Sequence, residues 1–179
     1  MKNKQIFPKK IAILGCSGSG KTTFAKLLAQ ELNLPVFHLD QVSWKPGWVK
    51  EEESIIKENH HFICSKEQWI IDGNQINYLQ NRIEHADMII FFNIARWKCF
   101  FRIFSRWFRF YKKQRPDLAP GCFEQLRWGY LSYVWKFNKH YTPSILKLLT
   151  QAKKTKKVCI FNSNKDAHLF IKKLLIEDL

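Results

Sequence analysis

The sequence predicts a three-layer α/β fold, a five-stranded parallel sheet flanked by helices on both faces. Three observations carry that expectation. Short apolar runs recur along the chain and stop at Gly, Asp or Asn, as strands buried on both faces do. Segments of helical periodicity separate them, and strands alternating with helices build parallel sheets. The chain has 179 residues, 46% hydrophobic and 25% charged, which suits one domain with a substantial core and fits neither disorder, collagen nor a coiled coil.

After a Lys-rich lead, Ile11-Ala12-Ile13-Leu14 reads as the first strand. A helix follows from about Gly20, with Phe24, Leu27, Leu28 and Leu32 at helical spacing and Asn33 near its end. Val36-Phe37-His38-Leu39 is the second strand, ending at Asp40. Pro46 and Gly47 break the next stretch, QVSWKPGW, into a loop, and an acidic helix begins near Glu51. Trp69-Ile70-Ile71 is the third strand, ending at Asp72-Gly73, and Met88-Ile89-Ile90-Phe91-Phe92 is the fourth. Val158-Cys159-Ile160-Phe161 is the fifth, before a closing helix at about 165–176. With no repeat or linker in view, residues 1–179 read as a single domain.

Residues 97–157 depart from the alternation and form an expected helical insertion, or lid, between the fourth and fifth strands. The formal charge of the chain is +15, and that insertion holds 15 basic and 2 acidic residues against 12 and 10 in residues 1–96. It is also aromatic, since 15 of the 27 Phe, Trp and Tyr lie between Trp97 and Tyr141. Over 97–113, Trp97, Phe100 and Phe101, Phe104, Phe108 and Tyr111 recur at helical spacing, with Arg102, Arg106, Arg109 and Lys113 on another face. The aromatics are expected to form the core of the lid; a base-stacking surface and a membrane-surface helix are the alternatives. Pro116 and Pro120 end that helix, and Phe123 to Phe137 is expected to form another.

Five cysteines without a CxxC pair or a His/Cys cluster suggest free thiols in a reducing compartment. The N-terminal apolar run is too short for a signal-peptide core, and no stretch approaches the ~18 apolar residues of a membrane span. A cytoplasmic protein without a transmembrane segment is expected.

The chemistry is carried by Gly15-Cys16-Ser17-Gly18-Ser19-Gly20-Lys21-Thr22, which fits GxxxxGK[ST] at every fixed position between a strand and a helix. Its glycines let backbone N–H groups wrap a phosphate at a helix N-terminus. Gly15, Ser17, Gly18, Ser19, Gly20, Lys21, Thr22 and Thr23 are thus the expected ATP-binding residues, with Lys21 at the β/γ-phosphates and the Thr22 hydroxyl on Mg²⁺. Asp40 and Asp72 end parallel strands, on the edge where open α/β sheets bind ligands. Asp72 suits a metal-holding role and Asp40 that of a base for an acceptor hydroxyl. Among the arginines, Arg96, Arg102 and Arg106 are the expected stabilisers of the transferred phosphate, and Arg82 is a candidate for acceptor binding. Trp44 and Trp48 either wall an acceptor pocket or pack on the sheet.

GCSGSGKTTFAKLLAQELNLPVFHLD, the Trp44-to-Trp48 loop, WIIDGN, ADMIIFFN followed by Arg96, and RPDLAPGCFEQL together resemble the bacterial family of DNA topology modulation proteins, related to adenylate kinase. The resemblance covers nearly the whole chain. It implies a P-loop NTPase fold of the nucleoside monophosphate kinase kind, ATP and Mg²⁺ as cofactors, and a lid between the fourth and fifth strands. Asp72-Gly73 matches the adenylate kinase DG pattern, whose Asp meets Mg²⁺ through water. The Phe-Pro-Arg run that follows DG in adenylate kinases is here Asn74-Gln75-Ile76, which argues against AMP as acceptor. The region of Asn162 is where such relatives hold adenine. Two functions follow: a kinase passing the ATP γ-phosphate to a nucleotide-like or other small hydroxyl or phosphate acceptor, or a nucleic-acid-binding P-loop ATPase affecting DNA topology.

Overall fold

Five parallel strands form the sheet that the apolar runs predict. In a computed structural model, which describes residues 8–177, they are β1 (Lys10–Gly15), β2 (Val36–His38), β5 (Trp69–Asp72), β6 (Met88–Phe92) and β7 (Lys157–Phe161). The Lys-rich lead of residues 1–7, and the reading of it as no signal peptide, lie outside the described residues. The order across the sheet is β2-β5-β1-β6-β7, so β1 is central and its C-terminal end is the point where the order reverses. Register sets the site: Ile13 pairs with Asp72 and Gly15 with Phe92, which brings the ends of β5 and β6 level with the start of the phosphate loop.

Helices cover both faces. They are α1 (Lys21–Leu32), α3 (Glu53–Ser65), α4 (Leu79–His85), α5 (Arg96–Arg109), α6 (Trp128–His140), α7 (Thr142–Ala152) and α8 (Asn164–Glu177), with a five-residue α2 (Leu39–Ser43) after β2. β1, β5 and β6 are buried along their apolar residues, as central strands of a doubly covered sheet must be. Phe24 of α1 meets Phe92 at 5.3 Å and Phe161 at 5.5 Å between ring centroids, edge to face, which fastens α1 to β6 and β7. No helix among the described residues is long and apolar enough to cross a membrane, and all five cysteines are free thiols.

Four readings of the sequence are corrected. β2 stops at His38: Leu39 is fully buried, the Ser43 hydroxyl donates to the Leu39 carbonyl at 2.5 Å, and the chain coils into α2, so Asp40 rides on a helical turn rather than a strand end. The Trp44-to-Trp48 stretch is a small antiparallel hairpin, β3 (Trp44–Lys45) and β4 (Val49–Lys50), turned by Pro46 and Gly47. The helix expected from Phe123 begins at Trp128, because Phe123 bridges to Gln114 and Glu124 turns inward to arginines. Most of the α5 aromatics are not core: the buried face is Cys99 and Ile103, while Trp97, Phe104 and Phe108 are exposed.

Arg82 is also placed differently from expectation. It is fully buried in α4 and donates to the carbonyls of Gly73 at 3.0 Å and Asn74 at 2.8 Å, so it shapes the loop after β5 instead of meeting an acceptor. His60 of α3 is buried nearby, and burial, reinforced by the Arg82 charge, pushes its pKa down to about 4 from 6.5. In the unfolded chain His60 takes its proton first, so the stability it contributes above pH 6.5 is lost as pH falls towards 4. Urea denaturation across that window should show a fall of up to about 3 kcal/mol that is flattened in His60→Gln.

Candidate active site

The loop between β1 and α1 lies under α5. A Cβ at Gly15 would sit 2.7 Å from the Phe92 carbonyl, and one at Gly18 would overlap the carbonyl of Cys99. Gly18 (φ 78°) therefore answers two demands at once, a left-handed backbone and bare contact with a helix. The Ser19 amide closes the loop on the Cys16 carbonyl at 3.1 Å. Lys21 Nζ donates to that carbonyl at 3.0 Å, folded along the loop where phosphates are cradled in this motif.

Two residues sequence reasoning missed complete the loop. Asn74, directly after Asp72-Gly73, accepts the Gly15 amide at 3.3 Å and donates to the Tyr133 hydroxyl of α6 at 3.0 Å. Nothing in a single sequence ties residue 133 to residue 15. The Asn after DG is visible as a departure from the adenylate kinase pattern, and here it supports the phosphate loop.

Thr22 donates its hydroxyl to Asp72 Oδ2 at 2.6 Å, and His38 Nδ1 lies 3.2 Å from the same oxygen. Burial alone would raise the Asp72 pKa, but the hydrogen bonds from His38 and Thr22 and the Lys21 charge outweigh it, and the net shift is downward. Asp72 is thus ionised, and its second oxygen, Oδ1, is buried without a partner among the described residues. An ionised carboxylate with one orphaned oxygen beside a threonine hydroxyl fits Mg²⁺, which takes few protein ligands and fills the rest with water and phosphate oxygens. No cluster of three or more His, Cys, Asp or Glu exists among the described residues, which does not suit a metal held by protein alone.

Asp40 faces Asp72 across a cleft of about 1230 Å³ that also takes in Ser17, Thr23, Trp44, Arg102 and Tyr130. Its carboxylate is open to the cleft, but the surrounding protein removes bulk solvent and, with the Asp72 charge second, pushes its pKa up from 3.8. Trp44 and Trp48 meet edge to face at 5.5 Å between centroids and line the cleft while packing on Leu118, Ala119 and Cys122. The reading that the pair packs on the sheet is corrected, since the surface it packs on is the 114–124 loop. That loop is latched to the hairpin side: Trp48 Nε1 donates to the Phe123 carbonyl at 2.7 Å, Gln41 Nε2 to Pro116 at 2.7 Å, and the Gly47 amide to Gly121 at 3.1 Å.

The arginines divide. Arg102 bridges the Ser19 carbonyl (3.3 Å) and Asn164 Oδ1 (3.1 Å), joining the phosphate loop to α8. Arg106 binds Glu124 through Nε at 2.7 Å and the Tyr130 hydroxyl at 2.9 Å, and Arg115 is held between Glu124 and Asp117. Arg96 is corrected: it stands outside the cleft, its guanidinium 4.5 Å from the Trp135 ring, because the first turn of α5 lies beyond the loop that the second turn covers. Asn162 is corrected as well. It accepts from Asn93 Nδ2 at 3.0 Å away from the cleft, and Asn164, two residues on at the start of α8, is the one that lines it.

A family model described as an AAA domain matches residues 11–106. A shikimate kinase of Rhodopirellula baltica is 48% identical over 42 residues, 24% of this chain, and that match spans only 22% of the relative's length. A shikimate kinase structure from Bacteroides thetaiotaomicron superposes over 97% of this chain and 100% of its own, with TM-score 0.55 and 18% identity. A gluconokinase structure from Sinorhizobium meliloti 1021 covers 97% of this chain and 93% of its own, with TM-score 0.51 and 14% identity. At such identities the likeness to the two structures is one of fold.

Gly18→Ala tests the contact between loop and lid helix. The methyl must push α5 off the loop, so ATP should lose its ability to raise the melting temperature, and the protein itself should be destabilised by about 1–3 kcal/mol in urea.

Proposed function

The chain belongs to the AAA domain family, and from that premise we propose that it is an ATP-dependent kinase whose acceptor is a hydroxyl group on a small molecule bound beside Asp40. One observation carries the reading: two carboxylates line the same cleft beside the phosphate loop, Asp72 hydrogen-bonded through Oδ2 to Thr22 and His38, and Asp40 with its carboxylate open to the cleft where an acceptor would lie. That is the division of labour phosphoryl transfer asks for, one group to hold charge and one to take a proton. The names of the fold neighbours, shikimate kinase and gluconokinase, accord with it.

ATP is assigned to the loop of Gly15, Ser17, Gly18, Ser19, Gly20, Lys21, Thr22 and Thr23, its base towards Asn164. Thr22 and Asp72 would hold Mg²⁺, whose chemistry is to neutralise charge on the phosphate oxygens. Asp40 accepts the acceptor's hydroxyl proton as that oxygen bonds the γ-phosphorus and the bond to the ADP oxygen breaks. Lys21 and Arg102 stabilise charge on the transferred group, with Arg106 beside them once Glu124 yields. Residues 97–157 serve as the lid that excludes water. On the acceptor side, the Trp44 and Trp48 rings supply an apolar wall, and Gln75 presents a buried Oε1 that has no partner among the described residues.

Within this assignment, the blocks HLD, WIIDGN and RPDLAPGC support membership of the DNA topology modulation group. The ATPase reading attached to that name is the less supported one, since the enclosed arginines turn towards the phosphate loop and their own acidic partners.

An ADP-release screen over nucleosides, sugars, hydroxy acids, nucleoside monophosphates and DNA tests the proposal; stimulation by DNA alone overturns it. Lys21→Ala should abolish turnover, a loss of at least ~10³-fold, while the fold survives. Asp40→Asn should lower kcat by ~10²–10⁴ with ATP affinity retained. Because the free base is the active form and its pKa is raised, activity with the best acceptor should fall on acidification sooner than an ordinary aspartate allows, and Asp40→Asn should remove that limb.

A further inference from the structure

The outer surface of α5 has no role in the cleft. With Cys99 and Ile103 turned to the phosphate loop and Arg102, Arg106 and Arg109 lining the cleft, helical geometry leaves Trp97, Phe101, Phe104 and Phe108 along one line of the helix, spaced by four and three residues, with Tyr111 just past its C-terminal end. All five are exposed, Phe101 to 68% and Phe108 to 80%. The stripe continues through Phe104–Phe100 (5.0 Å) and Phe100–Trp135 (5.6 Å) onto α6, where Arg96 stacks on Trp135. A continuous exposed aromatic surface of this kind marks an interaction site.

Charge identifies the partner. Residues 97–157 contain only two acidic side chains, Asp117 and Glu124, and both are buried against arginines, while Lys98 lies over the Trp97 ring at 5.3 Å and Lys112 over the Tyr111 ring at 5.5 Å, neither in an ion pair among the described residues. A second copy of the chain would bring like charges together. A nucleic acid is held by lysine and arginine alike, but the arginines that would add bidentate phosphate and base contacts are engaged elsewhere: Arg102, Arg106 and Arg115 are turned to the loop, Glu124 and Asp117, and Arg96 lies flat on a ring. What remains is phenylalanine flanked by lysine, whose long stems lie along apolar surface while the ammonium reaches an anionic headgroup.

We propose that the α5 aromatic stripe is a docking surface for the anionic face of a lipid membrane, with Phe101, Phe104 and Phe108 entering the interface and Lys98 and Lys112 contacting lipid phosphates. The proposal stands apart from the kinase reading, since none of these residues lines the cleft. The lid helix would then have one face on the phosphate loop and the other on the membrane, so docking would reach the site through α5.

Co-sedimentation of the full chain with vesicles tests it. Binding is expected to phosphatidylcholine–phosphatidylglycerol vesicles, not to phosphatidylcholine alone, and it should weaken with salt. Phe101→Ser combined with Phe108→Ser should bind at least ~10-fold more weakly with the melting temperature unchanged, and Lys98→Glu with Lys112→Glu should remove the preference for anionic lipid. The proposal is overturned by failure to sediment with anionic vesicles, or by undiminished binding of the double Phe variant. It is equally overturned if that variant instead loses single-stranded DNA binding or self-association in the absence of any vesicle binding.

Discussion

Everything around the site depends on one close contact, the seat of α5 on the phosphate loop at Gly18, where the Cys99 carbonyl and the Ile103 side chain meet the bare backbone. Because the Cys99 carbonyl fills the place of a Cβ there, α5 has one rotation about its axis that fits, with Cys99 and Ile103 inward. At 100° per residue the rest follows: Arg102, Arg106 and Arg109 fall on the arc towards the cleft, and Trp97, Phe101, Phe104 and Phe108 on the arc away from it. One steric fact thus decides where charge and aromatic surface go. Cys16, within the loop, is tied to the same contact; its thiol is pushed up in pKa by a hydrogen bond with Cys99 and by burial, and stays protonated where a thiolate would oppose the bound phosphates.

The +13 concentrated in residues 97–157 is less free than a count suggests. Glu124 and Asp117, the only acids in that stretch, are both buried and both spent on Arg115, with Glu124 also on Arg106 and Asp117 reached by Lys26 of α1 at 3.8 Å. Buried pairs of this kind cost desolvation and give geometry in return. Here they give the 114–124 loop a fixed shape that closes on the hairpin carrying Trp44 and Trp48. The cations outside that network are mostly lysines on the outer surface, the residue type that stays solvated most readily.

The sheet and the phosphate loop were legible because both are written locally. A four-residue apolar run ending in glycine is a strand whatever surrounds it, and GxxxxGKT states its own conformation. The site beyond them was legible only in outline. Asp40 was placed on the right edge but on the wrong element, since the burial of Leu39 that starts α2 is a tertiary event. Asn162 missed by two residues because Ser163 and Asp166 cap the start of α8 and delay its first inward side chain to Asn164. The aromatics of α5 were assigned inward since apolar periodicity normally marks the buried face; the helix carries three arcs instead of two, and sequence spacing cannot say which of two apolar arcs meets the core.

The two cleft aspartates show how environment divides like groups. Both face the Lys21 charge, and desolvation raises both. Asp72 escapes because its Oδ2 receives Thr22 and lies against His38, so its charged form is hydrogen-bonded where it sits. Asp40 has no side-chain hydrogen bond among the described residues, and the Asp72 charge is the largest charge acting on it, which makes a second negative charge expensive. The influence runs from Asp72 to Asp40: the charge that Thr22, His38 and Lys21 keep on Asp72 raises the pKa of Asp40. A change at Thr22 or His38 that lets Asp72 take up a proton would weaken the basicity of Asp40 without touching it, which couples the proposed metal-holding and proton-accepting residues through one electrostatic pair.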